Sequence, residues 1–352
     1  MSMTSPPKAS RCAPAAIRSD SPGDPREWMP AARKWMPAVL AAVLLPLSAD
    51  IHAATAIAKG VYLVPGAASG ESQPDGNSVI LEAPEGLIVF DTGRHIGHTQ
   101  KIIDFADAAH RPIRAIINSH WHLDHVGGNV LLRTRYPDVH IYASSALQEA
   151  QSTFLAHYRQ QLEAAIAAPD GSQGPLAALR AELALVDAGP ALLPTDVISS
   201  SGSRSVAGRR LELNLEHDAV TAGDIWIDDP HSGLLLAGDL VTLPAPFLDT
   251  ACPSRWQGSL AHLAERHFRL LVPGHGPPLQ RAEFEAYRSA YANFLTCGGS
   301  DRPKSDCIEG WLHDGDKLIP ASDQPYARAL LDYYLDNVLR GDPARLARLC
   351  AA

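Results

Sequence analysis

Cysteine is scarce in this 352-residue chain: there are five, and no two form a C-x-x-C pair. That excludes a disulfide-dense miniprotein and argues against a structural zinc site built on cysteine. Positive charge is also in deficit. Thirty Lys and Arg stand against 39 Asp and Glu, a formal net charge of −9. Nucleic acid is therefore excluded as the main partner, because neutralising phosphates needs a basic surface. No G-x-S-x-G turn is present to expose a nucleophilic serine, and no glycine-rich phosphate loop occurs. No apolar run reaches the ~20 residues of a membrane span. What remains is 46% hydrophobic and 20% charged, a globular composition that rules out a wholly disordered chain.

The longest apolar run, PAVLAAVLLPLSA, follows Arg33-Lys34 and precedes Ala54-Thr55-Ala56. A basic stretch, a short apolar run and a small-residue A-x-A site are the layout of a secretory signal peptide. Residues 1–56 are thus expected to be an N-terminus without fold plus a cleaved leader. Met29 is the start that would give this leader a conventional basic beginning. The mature protein is expected in the periplasm or secreted, with no stable membrane anchor. An oxidising compartment lets the remaining four cysteines pair. Cys297 and Cys307 flank the polar segment GGSDRPKSD, which suits a local bridge. Cys252 and Cys350 are left by elimination.

Short apolar strands are expected at Val61–Val64, Ser78–Leu81, Leu87–Phe90 and Ile113–Ile117. Helical spacing appears at His98–Ala109 and Gly127–Arg135. Residues 144–187 read as two helices inserted between strands, either core or lid. Strands return at Arg210–Leu215, Asp224–Ile227, Gly233–Ala237 and Leu270–Val272. Beyond Arg281 the chain reads as helical. The alternation predicts an α/β layered domain over 57–282 with its insertion at 144–187, followed by a helical extension over 283–352.

The strongest chemical signal is Asn118-Ser-His-Trp-His-Leu-Asp-His-Val-Gly-Gly-Asn129. It follows the apolar strand Ile113–Ile117. Extended residues at i and i+2 point the same way, so His120 and His122 can approach one metal. After a turn, Asp124 and His125 can serve a second. Imidazole and carboxylate donors suit zinc, and also iron or manganese.

With this segment in full, the sequence resembles the metallo-β-lactamase fold superfamily and its H-x-H-x-D-H motif. Other landmarks follow in order: Phe90-Asp91-Thr92-Gly93, Leu236-Ala-Gly-Asp239 and Val272-Pro-Gly-His275-Gly276. The resemblance implies an α/β four-layer αββα sandwich, here with the helical insertion and helical C-terminal extension. It implies metal ligands His120, His122, Asp124, His125, Asp239 and His275, with Asp91 supporting them from behind. One landmark departs from the family pattern. Aligning Thr221-Ala-Gly223-Asp224 puts Val220 where the third histidine is expected. His217, three residues earlier, is taken as the substitute ligand, which requires a rearranged loop.

The expected activity is that of a periplasmic dinuclear zinc hydrolase on a small-molecule amide, lactam, lactone or ester. Two Zn2+ ions are expected, with iron as the alternative. Asp124 is expected to shuttle the catalytic proton. The apolar segment after Asp239 suggests that Phe247 and Trp256 wall the substrate pocket, together with Trp121. Two other readings stand beside this one: a mononuclear-iron oxidoreductase of the same fold, persulfide dioxygenase-like, and a metal-binding periplasmic accessory protein.

Overall fold

Two sheets carry the molecule. The first runs in chain order: β1 (Thr55–Ala58), β2 (Val61–Val64), β3 (Ser78–Ala83), β4 (Gly86–Phe90), β5 (Ile113–Ile117), β6 (His140–Ala143) and β7 (Asp196–Val197). The second contains β8 (Gly202–Val206), β9 (Arg209–Glu216), β10 (Asp224–Asp229), β11 (Leu234–Thr242) and β12 (Leu270–His275). The computed structural model describes residues 54–67, 73–167 and 175–351, within the unit Asp50–Ala352. The expected leader before residue 54 and the helix break expected around residue 170 lie outside the described residues.

Period-two alternation explains the layers. Val79 and Leu81 of β3 and Ile88 and Phe90 of β4 face one shared core. Ile225 and Ile227 of β10 and Leu234 and Leu236 of β11 meet them from the second sheet. The alternate residues turn outward. Ile80, Leu87 and Val89 pack on Ile102, Ile103 and Ala106 of helix α1 (Ile96–Ala108). On the other flank, Trp226, Leu235 and Ala237 pack on a helical layer. This is the expected four-layer αββα sandwich.

Three short elements follow β5 and β6: α2 (Leu123–Val126), α3 (Asn129–Arg135) and α4 (Ala146–Ser152). Then come α5 (Phe154–Ala167) and α6 (Leu176–Asp187). Among the described residues, the insertion therefore holds three helices, not two. It has its own apolar cluster, in which Leu147, Leu155 and Leu162 meet Trp121, Leu123 and Val126. The outer helical layer is α7 (Pro253–Ala264), α8 (Arg281–Gly298), α9 (Lys304–Asp314), α10 (Gln324–Tyr334) and α11 (Pro343–Leu349). Both expected disulfides are formed, Cys297–Cys307 and Cys252–Cys350.

Strand β1 was not expected. It pairs Thr55 with Leu63 and Ala56 with Tyr62, so cleavage after Ala56 would cut an edge strand of the sheet. The pairing is backbone hydrogen bonding between residues of little hydrophobic contrast, which no apolar pattern announces.

Parallel pairing positions the functional residues. β4 lies parallel to β5, and β11 parallel to β12. The carboxyl ends of such strands open a crevice between connections. Asp91, the His120–His125 segment and His275 lie at or beyond these ends, and Asp239 lies in the second half of β11.

Candidate metal centre

Asp91, the residue after β4, is fully buried and holds a left-handed backbone at φ 57. Its Oδ1 accepts the Ser119 amide at 2.7 Å. Its Oδ2 accepts the Ser119 hydroxyl at 2.7 Å and His125 Nδ1 at 2.8 Å. Since Ser119 Oγ donates to Asp91, it must accept from His120 Nδ1, 2.9 Å away. The lone pairs of His120 and His125 therefore both sit on Nε2. Burial pushes the Asp91 carboxyl upward, against the opposing pull of His125 and Ser119.

His122 is fixed differently. Thr250 Oγ1 donates to the Val220 carbonyl at 2.9 Å, so it accepts from His122 Nε2, also at 2.9 Å. That tautomer leaves the lone pair of His122 on Nδ1, although His122 belongs to neither group of converging donors. The loop itself is held by side-chain amides. Asn118 Nδ2 donates to the His125 carbonyl at 3.0 Å, and Asn129 Nδ2 donates to Asn118 Oδ1 at 2.8 Å.

Two groups of converging donors result: His120, His125 and Asp239, and Asp124, His125 and His275. His275 Nε2 lies 3.0 Å from Asp124 Oδ2 and 3.5 Å from Asp239 Oδ1, and His125 Nε2 lies 3.2 Å from Asp239 Oδ1. The loop bearing His275 is tied to the first sheet by Asn77, whose Nδ2 donates to the carbonyls of Pro273 and Gly276 at 2.9 Å.

The arrangement fits a divalent cation on three counts. His120 Nε2 and Asp239 Oδ1 are buried without a hydrogen-bond partner, a costly state unless something positive completes them. Imidazole and carboxylate are the donor types such a cation takes. Two glycines also leave the donors room. A Cβ on Gly274 would fall 2.0 Å from Asp239 Oδ1, and one on Gly76 2.5 Å from His125 Cε1.

Electrostatics agree. Burial pulls His120 well below its ordinary pKa and takes His122 down to about 4, so both are neutral donors. Burial opposes charge on Asp124 and Asp239, but His125 and His275 outweigh it and hold both carboxyls low. For His125 the sign reverses. Asp239, Asp91 and Asp124 overcome burial and raise it well above the usual imidazole value. Of these carboxylates, Asp124 and Asp239 belong to the donor groups and would hold a cation, while Asp91 stays behind His125.

Two expectations change here. His217 is exposed just past β9 and belongs to neither donor group. Its neighbour Asp218 takes a left-handed turn at φ 55 and pairs with Arg255 at 3.3 Å. The amides of Val220 and Thr221 then cap onto Asp224. The loop thus turns inward only after His217 has passed. Trp256 is a core residue, not a pocket wall: it is fully buried and its Nε1 donates to the Leu240 carbonyl at 2.9 Å.

Trp121 and Phe247 do line a cavity of about 770 Å³ beside Asp124, Asp239 and His275. Helix α5 adds Phe154 and Tyr158, and α10 adds Tyr326 and Leu330. Arg94 is the one Lys or Arg on the wall among the described residues. It pairs with Glu182 of α6 and approaches Asp124 Oδ1 at 3.5 Å. His95 and His98, which follow the Asp91-Thr92-Gly93 turn, are engaged on Asp75 and Ser78 respectively. Arg94, Ser119 and Thr250 are functional neighbours that sequence reasoning missed; of these only Ser119 lay inside a recognisable motif.

With this fold and this donor set, residues 73–278 match the metallo-beta-lactamase superfamily, and the chain belongs to it. It is 27% identical over 225 residues to a linear primary-alkylsulfatase of Pseudomonas sp. (strain ATCC 19151), covering 58% of this chain and 42% of that protein. A stretch of 33 residues is 58% identical to a hydroxyacylglutathione hydrolase of Thermosynechococcus vestitus (strain NIES-2133 / IAM M-273 / BP-1), covering 9% of this chain and 13% of that one. The chain therefore spans less than half the length of these curated relatives. Among solved structures, a stereoselective inverting sec-alkylsulfatase from Pseudomonas sp. aligns with TM-score 0.56 at 18% identity, over 83% of this chain and 51% of that one, a likeness of fold.

Proposed function

We propose that the protein is a metal-dependent hydrolase of a small ester, lactone or lactam that carries a bulky apolar group, with zinc as its ion. The observation that carries this reading is the junction of the donor cluster with the apolar cavity. Asp124, Asp239 and His275 form one wall, and Trp121, Phe154, Phe247, Tyr326 and Leu330 form much of the rest. A divalent ion bound by these donors supplies Lewis acidity and acidifies water.

The remaining steps belong to the chain's own residues. The aromatic walls bind the apolar group and exclude water from the reacting bond. Asp124 accepts the proton of the attacking water on Oδ1, the oxygen that His275 leaves free, and returns it to the leaving group. Arg94 keeps that oxygen turned toward the cavity. Asp91 holds His120 and His125 in the tautomers that bind. Export is part of the same proposal, supported by the leader pattern and by two disulfides of a kind that persist outside reducing compartments.

A second reading, hydrolysis of an alkyl sulfate, is favoured by the alkylsulfatase similarity. It asks for more positive charge than Arg94 provides, since that guanidinium is already engaged by Glu182 and Asp124. A panel of carboxylic esters, lactones, β-lactams and alkyl sulfates separates the two. The first reading expects turnover of neutral substrates that rises with apolar bulk and is lost with a chelator. Cleavage of alkyl sulfates alone would move the assignment to the second, and no chelator-sensitive turnover of any would overturn both.

A further inference from the structure

We infer that this chain holds one divalent ion tightly, in the Asp124, His125, Asp239 and His275 group, and that its His120/His122 side does not hold a second at comparable affinity. The inference rests on the metal-centre reading above and departs from the two ions that the sequence motif suggests.

His125 is common to both donor groups. Its Nδ1 is committed to Asp91 at 2.8 Å, so it has a single nitrogen to give, and a single nitrogen serves a single ion. Asp124 and His275 already meet at 3.0 Å while His120 stands 3.8 Å from Asp239, so His125 goes with the former pair, and the other side keeps His120, whose unpartnered Nε2 a water can satisfy, the Nδ1 of His122 and a share of Asp239. A catalytic zinc site ordinarily takes three full protein ligands. A carboxylate divided with a neighbouring ion, whose charge also repels the newcomer, is less than that.

The missing donor has been replaced by structure that satisfies its surroundings. Val220, where the third histidine would stand, is fully buried in the apolar core. Its carbonyl takes the Thr250 hydroxyl, and that hydroxyl accepts from His122. The loop therefore offers His122 a neutral hydrogen-bond partner rather than a companion ligand. His217 is exposed and outside both groups. The neighbouring turn is fixed by four bonds from Val220 and Thr221 to the buried Asp224 carboxylate, so bringing His217 inward would dismantle it.

The test is zinc titration of the full chain by calorimetry, with metal content per chain measured by mass spectrometry at fixed free zinc. The expected result is one tight site, with any second at least ~100-fold weaker. His275→Ala should weaken the tight site by more than ~100-fold, while His120→Ala should change it by less than ~10-fold. Val220→His should add a second ion, and His217→Ala should leave the count at one. Two ions of similar affinity in the natural chain would overturn the inference and leave the metal centre standing. Absence of any bound ion would overturn both. One ion without hydrolysis would support this inference and remove only the proposed activity.

Discussion

Asp91 and His125 meet in a 2.8 Å hydrogen bond that is wholly shielded from solvent. The same Asp91 oxygen reaches His120 through Ser119. One carboxylate at the end of β4 thus sets the protonation of two imidazoles that follow β5. Asp91→Asn preserves shape but puts an amide where a double acceptor is needed. Metal affinity is expected to fall about 10- to 100-fold, read by competition with a chromophoric chelator. An unchanged affinity would remove Asp91 from this role.

Arg94 joins the inserted helices to the centre, bridging Glu182 of α6 and Asp124. Tyr158 of α5 donates to the same glutamate at 3.2 Å. Arg94→Met should cost roughly tenfold in kcat/KM, about 1.4 kcal/mol, and Arg94→Lys should recover part of it. Glu182→Gln should produce a smaller loss in the same direction. Wild-type kinetics in Arg94→Met would show that the insertion is only a wall.

The two disulfides should differ in worth. Cys252–Cys350 closes a separation of 98 residues, and Cys297–Cys307 closes 10. Loop-closure entropy assigns about 4.7 kcal/mol to the first and about 2.7 kcal/mol to the second. The paired serine variant at 252 and 350 should therefore lose more thermal stability than the variant at 297 and 307. The reverse order in calorimetry would contradict the entropic account.

His98 makes stability depend on pH. Burial brings its imidazole down to about 4, while an unfolded histidine titrates near 6.5. Below pH 6.5 the unfolded chain takes up a proton that the folded chain refuses. Stability should fall as pH drops, by roughly 2 kcal/mol between pH 7 and pH 5 for this group, and the slope should flatten below about 4. His98→Gln can keep a hydrogen bond to Ser78 and should remove that part of the slope. Parallel denaturation profiles for both proteins between pH 5 and 7 would disprove it.

Legibility in the sequence followed the range of the interactions. Ile113–Ile117 was read to the residue because a buried strand is a local apolar run. Five of the six motif-derived donors, His120, Asp124, His125, Asp239 and His275, do converge, because they stand in short segments in or just after the parallel strands. The position of His217 was misjudged because it depends on a turn whose sign is set by Asp218 and Arg255, 37 residues apart in the chain. Thr250 was invisible for a related reason: it lies 128 residues from His122, and nothing local marks it as a partner. Trp256 follows the candidate ligand Asp239 in the chain, but helix α7 turns it into the core against Tyr291. The contribution of α10 to the cavity likewise depends on packing across the whole domain.

The most direct test of the central claim is anomalous diffraction at the zinc edge from crystals of the zinc-loaded chain. The account predicts one strong peak among Asp124, His125, Asp239 and His275, with nitrogen and oxygen ligands at about 2.0–2.2 Å. No peak there, or an ion held only at surface histidines such as His217, would contradict it.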